Sequence, residues 1–341
     1  MSDLEIARLD PFDPVAFDAW YAAYLAAERA DPDGVAAPLM LEEVRALLKD
    51  AGTRRWASGW TGTVNGRVVV AGRLGTPLLD NLDRADLSVD VVPDERRRGF
   101  GTAMLRRLEQ EARERGRTLL NAEASWPYAA GSDGNGQAGR EFARSLGYAL
   151  ALGDVKRILR LPVPGGLLDD LAAEAAPHHA AYTLRSWVGP VPDALLDGWA
   201  ALTATLETEA PTGDLEVEPE HIDAAVVREA EALVARQGRR KFNTVALDET
   251  GAVVAYTDIA TTAHEPDRAY QWGTLVRRDA RGHRLGLAVK VANLRLLQAS
   301  CPDLRRLTTY NAEVNPHMVA VNDRLGFVPV ARLGEFQKRL V

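Results

Sequence analysis

An arginine- and glycine-rich loop, RRRGFG at residues 96–101, is the stretch of this chain whose residue types most clearly suggest chemistry. Glycine has no Cβ, so Gly99 and Gly101 allow another molecule to approach the backbone closely. The helix-favouring stretch MLRRLEQEARERG follows, and its free N–H groups and positive dipole end would point at the same place. The arginines add charge and forked donors, so the loop is predicted to hold a phosphate group. The alternative is a tight turn with a solvated basic edge.

Other phosphate- and metal-binding patterns fit the sequence less well. A P-loop would require Gly-Lys-Ser/Thr after the glycines, and a dinucleotide fingerprint would require a small residue where Met104 stands. The six histidines contain no H-x-x-x-H spacing, so no metal site is predicted. Cys301 is the only cysteine and cannot form an internal disulfide.

Composition and length indicate an ordinary globular protein of two domains. The chain has 341 residues, of which 46% are hydrophobic and 26% charged, values typical of globular proteins. No apolar run reaches membrane-spanning length, and the opening MSDLEIARLD lacks the basic and apolar pattern of a secretion signal. A net charge of −7 argues against general nucleic-acid binding. We therefore expect a cytoplasmic protein without nucleic-acid or membrane partners.

The elements around the loop occur twice, in the same order and about 180–190 residues apart. Each copy has a hairpin, a strand, a glycine-bearing loop, a helix, a strand, a second helix and a last strand. The matching stretches are VNGRVVVAGRL and TVALDETGAVVAYTDI, DLSVDVV and YQWGTLV, PDERRRGFG and RDARGHRLG, LLNAE and TYNAE, LGY and LGF, and DVKRILR and EFQKRLV. The chain is predicted to be two copies of one mixed α/β fold.

The segment RLPVPGG at residues 160–166 marks the expected boundary between the copies. Its two prolines and two glycines interrupt the helix and strand patterns on either side. We therefore predict one domain over residues 1–163 and a second over residues 164–341.

The segment VVPDERRRGFG resembles the acyl-CoA-binding signature of the GNAT acetyltransferase superfamily. That signature is a strand ending V-x-P, followed by R/Q-x-x-G-x-G/A at the start of a helix. GREFARSLGY and NPHMVAVNDRLGF resemble its second motif, a helix that ends in a leucine-glycine-aromatic turn. The tandem layout is similar to that of two-domain actinobacterial members such as mycothiol synthase. The resemblance implies two GNAT-like domains, each a mixed, mostly antiparallel sheet flanked by helices.

The resemblance also implies acetyl-CoA as co-substrate and a small-molecule amine as acceptor. The coenzyme pyrophosphate would lie on each glycine loop, and the pantetheine arm would lie along the end of the preceding strand. The implied coenzyme contacts are Val91, Arg96, Arg98, Gly99, Gly101 and Thr102 in the first copy, and Val276, Arg281, Arg284, Gly286 and Leu287 in the second.

The second loop departs from the family pattern because Arg284 replaces the first motif glycine. Arg284 could block the approach of the coenzyme or could add a charge to the phosphates. Gly282 could supply the missing flexibility instead.

The catalytic groups are less clear from the sequence. Many family members use a tyrosine four residues before the glycine of the leucine-glycine-aromatic turn as an acid, but here that position holds Ala143 and Asn322. Asn322 can still donate a hydrogen bond. The repeated Asn-Ala-Glu places Asn311 and Glu313 near the acyl slot, where Glu313 could deprotonate an amine through water. The alternative is that these residues only tie down a strand end.

Tyr270 also lies near this slot, so the second copy has the richer polar set and is expected to hold the acceptor. Two functions remain open: an N-acetyltransferase acting in the second domain, or a non-catalytic acyl-CoA-binding sensor or partner module. Either would be a monomer or a homodimer.

Overall fold

Alternating hydrophobic residues and turn signals produce the same run of elements twice in the computed structural model, which describes residues 4–30 and 34–340. The strands are β1 (Glu5–Arg8), β2 (Arg55–Val64), β3 (Arg67–Pro77), β4 (Arg84–Val91), β5 (Leu119–Pro127), β6 (Ala149–Arg160), β7 (Thr183–Val188), β8 (Arg239–Leu247), β9 (Val253–Thr262), β10 (Arg268–Val276), β11 (Arg306–Ala312) and β12 (Val328–Arg339). The helices are α1 (Pro14–Glu28), α2 (Leu41–Lys49), α3 (Phe100–Glu114), α4 (Ala138–Ser145), α5 (Gly165–Ala175), α6 (Asp193–Thr203), α7 (Leu206–Glu209), α8 (Ala224–Arg236), α9 (Leu285–Ser300) and α10 (Pro316–Leu325).

Local sequence accounts for several of these boundaries. Asn65 and Gly66 both have positive φ, at 51° and 79°, and form the two-residue turn between β2 and β3. The Asp13 side chain accepts hydrogen bonds from the first turn of α1, directly before Pro14. Asn315 caps α10 in the same way by accepting from the Met318 N–H at 3.1 Å.

The chain forms two compact units. The first contains the residues up to Asp154, the short segment Gly213–Glu216 and the residues from Val330 onward. The second contains Val155–Thr212 and Val217–Pro329.

The first unit contains a mixed sheet in the order β1-β2-β3-β4-β5-β12. Only β4 and β5 pair in parallel, and the other neighbours pair antiparallel. One face packs on α3 through Met104, Leu108 and Leu120. The opposite face packs on α1 and α2, where Trp20 and Val44 are buried.

The second unit contains a sheet in the order β6-β11-β10-β9-β8-β7, with β10 and β11 parallel. Leu287, Val291 and Leu294 of α9 are buried against one face together with α5. Helix α6 buries Trp199 in a second apolar cluster with residues of β8, β9 and β10. The predicted mixed, mostly antiparallel sheets flanked by helices are confirmed in both units.

The last strand of each sequence copy does not stay with its own copy. Strand β12 pairs with β5 from Ala331 opposite Pro127 to Arg339 opposite Leu119, and so completes the first unit's sheet. Conversely, residues 155–160 of β6 belong to the second unit. The compact units therefore differ from the expected cut between residues 163 and 164, because strand pairing outweighs proximity along the chain.

A lysine lies inside the second unit, and it provides a test of that unit's core. Lys290 on α9 is 2% exposed, its amine lies 5.6 Å from the centre of the Phe327 ring, and burial lowers its pKa to about 7. Between that value and the unfolded value of 10.5 the unfolded chain binds a proton that the folded chain lacks. The free energy of unfolding should therefore rise with pH across this interval, by up to about 1.4 kcal/mol per pH unit.

We expect Lys290→Met to stabilise the protein by about 3 kcal/mol at pH 7 and to flatten this pH dependence. Denaturant unfolding at pH 7 and pH 10 measures both effects. Lys49→Met, at an exposed position on α2, is the control. A variant that is destabilised at pH 7 would show that the buried amine has a compensating partner.

Candidate functional site

The first glycine loop leads into α3 with an open helix start. Gly99 precedes the helix with φ 87°, and its carbonyl accepts the first intrahelical bond from the Ala103 N–H at 3.0 Å. The amides of Phe100, Gly101 and Thr102 therefore have no intrahelical acceptor. No side chain caps this helix, and its first turn carries no acidic residue. The helix start is thus suited to an anion.

The second loop follows the same backbone path with its glycine in a different place. Arg97 and Gly99 have φ 63° and 87°, and the matching Gly282 and Arg284 have φ 87° and 52°. Arg284 thus adopts the left-handed conformation itself, at a cost of about 1 kcal/mol for a residue with a Cβ. Its guanidinium pairs with Glu174, and α9 again begins without a side-chain cap.

Two of the predicted coenzyme-binding arginines hold the loops in place. The Nε of Arg96 donates to the Val91 carbonyl at 3.2 Å, and the Nε of Arg281 donates to the Val276 carbonyl at the same distance. A further nitrogen of Arg96 donates to the Ala27 carbonyl at 3.1 Å. These side chains therefore tie each loop to the end of the preceding strand.

Some of the other predicted coenzyme contacts could be made by side chains, and others only by the backbone. Arg98 lies over the Phe100 ring and pairs with Glu95. Thr102 is half-buried in the first turn of α3, whereas the side chain of Leu287 is buried in the core. Only the backbone amide of Leu287 can therefore face a ligand.

Both motif glycines lie above the end of the preceding strand. A Cβ at Gly101 would lie 3.2 Å from Val91 and 3.5 Å from Phe142. A Cβ at Gly286 would lie 3.7 Å from Val276. Each predicted coenzyme site is thus lined by a valine at the end of a strand and by a motif glycine.

The two parallel strands of the first unit separate beside this loop. Pairing between β4 and β5 runs from Arg84 opposite Leu119 to Leu87 opposite Ala122. Beyond that point β4 continues to Val91, and β5 continues to Pro127 in antiparallel pairing with β12. In the second unit, β10 and β11 pair only from Arg268 opposite Arg306 to Tyr270 opposite Thr308. Each unit therefore has a gap between its central strands.

Glu123 lies at the gap of the first unit, and Asp154 of β6 is near enough to feel its charge. Glu123 is the first β5 residue past the last β4–β5 pair, and it lies directly opposite Glu335 on β12. Its side chain is exposed, yet desolvation by the surrounding chain raises its pKa and outweighs the attraction of Arg73 and Arg55. We call the space beside this gap the cleft. Desolvation, with a smaller contribution from repulsion by Glu123, also raises the pKa of half-buried Asp154 to about 6. One carboxylate thus titrates close to neutral pH.

Asn121 lies on the same face of β5 as Glu123 and has a defined partner. Its side-chain oxygen accepts from the Gln337 amide at 3.1 Å. The Gln337 side chain in turn bonds the backbone of Glu216, in the short segment that belongs to the first unit. Asn121 therefore fixes the edge of the cleft and leaves Glu123 and Asp154 as its chemical groups.

The repeated Asn-Ala-Glu does not occupy equivalent places in the two units. The first paired residue is Leu119 in β5 and Arg306 in β11. Asn311 lies three positions farther from Arg306 than Asn121 lies from Leu119. An odd shift moves a residue to the other face of a strand. Asn311 accordingly accepts a hydrogen bond at 3.1 Å from Asn322 of α10. Glu313 is exposed and lies beyond the end of β11.

The remaining predicted catalytic residues of the second unit already have partners. The Tyr270 hydroxyl donates to Glu265 at 3.0 Å, and desolvation and that carboxylate raise the pKa of Tyr270 to about 12. Asn322 is fully buried, and its amide nitrogen donates to Asn311. Tyr270 is therefore a poor acid at neutral pH, and Asn322 positions Asn311.

The β10 gap of the second unit is lined by a closed polar network. The strand bulges between Gln271 and Thr274, where the Gly273 N–H donates to the Asp258 carboxylate at 2.8 Å. Asp258 also pairs with Lys241 at 2.6 Å. These charges are satisfied within the protein, in contrast to the first unit.

Asp154 is not among the residues predicted from the sequence, although the sequence contains one signal for it. The repeat aligns DVKRILR with EFQKRLV, so Asp154 of β6 and Glu335 of β12 hold matching positions in the last strand of their copies. An acid at both matching positions indicates a shared polar position. Their approach to Glu123 depends on strand pairing that the spacing does not encode.

Neither a metal site nor a membrane span is found in the part of the chain that the structure describes. Residues 4–30 and 34–340 contain no cluster of three or more histidine, cysteine or acidic side chains placed to bind a metal ion. None of the helices described is long and apolar enough to cross a membrane.

Comparisons with known proteins find a family model that matches part of the chain and solved structures that resemble all of it. Residues 19–131, from α1 to just past β5, match the family model for the acetyltransferase (GNAT) family. A tandem GNAT protein from the clavulanic acid biosynthesis pathway, solved without AcCoA, is 28% identical, with a TM-score of 0.80 over 99% of this chain and 98% of that one. No curated protein matches the chain in sequence.

Two more distant structures share the fold. A GCN5-related N-acetyltransferase from Sphaerobacter thermophilus is 16% identical, with a TM-score of 0.63 over 98% of this chain and 95% of that one. Saccharomyces cerevisiae N-myristoyltransferase, solved with bound myristoyl-CoA, is 12% identical, with a TM-score of 0.60 over 99% and 79% of the two chains. These likenesses concern the fold alone.

Proposed function

We propose that the protein is an acetyl-CoA-dependent N-acetyltransferase that acts on a small-molecule amine. The match of residues 19–131 to the GNAT acetyltransferase family model and the likeness of the whole chain to a tandem GNAT protein support this proposal. The chemistry is assigned to the first unit. The observation that carries this assignment is the position of Glu123 where β4 and β5 separate, with Asp154 of β6 near enough for the charge of Glu123 to raise its pKa.

The residues of the first unit can be given distinct roles. The open amides of Phe100, Gly101 and Thr102 would hold the coenzyme pyrophosphate. Acetyl-CoA supplies the activated acetyl group. Glu123 and Asp154 lie on the cleft side of the sheet, where they can take the proton that an ammonium acceptor must lose before it attacks. Ala143 fills the usual tyrosine position, so the departing thiolate would take its proton from water.

The non-catalytic alternative suits the second unit. Glu209 accepts hydrogen bonds from Arg278 and Arg281, both at 2.8 Å, so a carboxylate already neutralises the basic loop. Tyr270, Asn311 and Asn322 are likewise engaged. We therefore propose a coenzyme-binding or structural role for the second unit, which reverses the expectation that it holds the acceptor. The cytoplasmic location and the monomeric or homodimeric state stay predictions.

The proposed function is tested by measuring the turnover of acetyl-CoA and its binding in parallel. The purified protein should release free thiol from acetyl-CoA in the presence of an amine panel, and acetylated amine should form in equal amount. Calorimetric titration should show that acetyl-CoA binds. Binding without thiol release across the whole panel would favour the sensor or partner module.

The pH dependence of turnover is a further prediction. Because Asp154 has a pKa of about 6 and a general base must be deprotonated, kcat/KM should rise between pH 5 and pH 7 with a midpoint near 6. Initial rates with an amine whose own pKa exceeds 9 provide the measurement. A profile that shows no break near pH 6 and rises only with the neutral fraction of the amine would remove the carboxylates from the mechanism.

A further inference from the structure

A positive charge faces the same cleft as the two carboxylates. Arg73 on β3 lies directly opposite Ser88 of β4. The last pair between β4 and β5 is Leu87 opposite Ala122. Ser88 and Glu123 are the next residues of these two strands. Residues in one row of a sheet share a face. Arg73 and Glu123 therefore lie on the same face, on either side of the point where the strands separate.

Arg73 acts on Tyr24 and Glu123 through its charge alone. Its side chain is half-buried, yet among residues 4–30 and 34–340 it forms neither a hydrogen bond nor an ion pair. The two nearby arginines, Arg55 and Arg84, both pair with Asp86. A half-buried guanidinium without a partner is costly unless it meets an anion that binds there.

Arg73 does not neutralise the carboxylates either. It draws the pKa of Glu123 downward, but desolvation outweighs this effect and the net direction is upward. The two side chains are thus close enough to influence each other without forming an ion pair. The cleft consequently has one cationic wall and one acidic wall.

Resting on the proposed function, we propose that the acceptor is an amino acid, or a closely related amine that carries a carboxylate. The carboxylate would pair with Arg73, whose forked donors suit its two oxygens. The amine would face Glu123 and Asp154, which hold it and take its proton. Attack of the neutral amine on the thioester carbonyl then forms the amide bond, breaks the carbon–sulfur bond and releases coenzyme A as the thiol.

Matched acceptors test this inference. The common α-amino acids and β-alanine are each compared with the corresponding decarboxylated amine, using thiol release for rate and calorimetry for acceptor binding. We expect at least one amino acid to be favoured over its decarboxylated partner by on the order of tenfold to a hundredfold in kcat/KM, the range that a charged hydrogen-bonded pair supplies.

Variants of Arg73 make the test specific. Arg73→Gln should remove this preference by raising KM for the amino acid, with little change for the decarboxylated amine or for acetyl-CoA binding. Arg73→Lys should restore part of the preference, because it keeps the charge without the fork. Arg106→Gln, at an exposed position on α3, is the control for loss of one positive charge. Thermal melts check that each variant folds.

The outcomes separate this inference from the proposed function. Equal turnover of both members of every pair, unchanged by Arg73→Gln, would overturn the inference and leave the acetyltransferase intact. Arg73-dependent binding of an amino acid without any turnover would support the inference and overturn the acetyltransferase. Neither binding nor turnover of any acceptor would overturn both.

Discussion

Replacing Glu123 with glutamine is expected to lower kcat for amine acetylation by about 10²- to 10³-fold, with acetyl-CoA affinity nearly unchanged. The amide keeps the shape of the side chain but cannot accept a proton, and general-base catalysis typically contributes this much. Stopped assays of acetylated product give kcat, and calorimetry gives coenzyme affinity. The pH dependence of the residual rate should shift to lower pH, because Asp154 loses the repulsion by Glu123 that helps to raise its pKa.

Glu313→Gln is the matched control, because the sequence repeat presents the two glutamates as equals. Glu313 is exposed beyond the end of β11, so its replacement should leave kcat and the pH profile unchanged. The reverse result, with Glu313→Gln inactive and Glu123→Gln active, would return the chemistry to the second unit. It would also show that register is a poor guide to function here.

Gly101→Val should abolish coenzyme binding in the first unit and turnover with it. The added Cβ would already crowd Val91 and Phe142 at 3.2 and 3.5 Å, so the remaining methyl groups must lie over the open amides of α3. Loss of several charge-assisted hydrogen bonds to a pyrophosphate should weaken binding by more than about 100-fold. Calorimetry measures both affinity and the number of sites, and thermal unfolding checks the fold.

Gly286→Val is the companion variant in the second unit. It should remove binding at the second loop while turnover persists, because the chemistry is assigned to the first unit. Sequence alone favoured the opposite assignment. Unchanged binding in both variants would show that neither loop holds the coenzyme, and loss of turnover in Gly286→Val alone would move catalysis to the second unit.

The loops could be predicted because their signals are local. Gly99, Gly101 and the helix that follows are adjacent in sequence, and steric rules tie them to one backbone shape. The second loop keeps this shape although Arg284 stands in place of the first motif glycine, because Arg284 itself adopts positive φ. The paired hairpins and strands could be predicted for the same reason.

The acceptor cleft could not be predicted in the same way, because it depends on register and pairing between distant strands. Asn121 and Asn311 share a motif but lie on opposite faces, since their strands begin pairing at different points. Arg73 and Asp154 approach Glu123 only once β3, β5 and the first half of β6 are in place. No spacing along the chain records that proximity.

The pairing of β5 with β12 also bears on the order in which the protein is made. Arg332 contacts Tyr128 across 204 positions of sequence, and the residues between them include the whole of the second unit. As the chain leaves the ribosome, the first unit therefore waits with an uncovered β5 edge while the second unit is synthesised. The proposed acetylation site, although encoded in the earlier copy, is the later of the two to be completed.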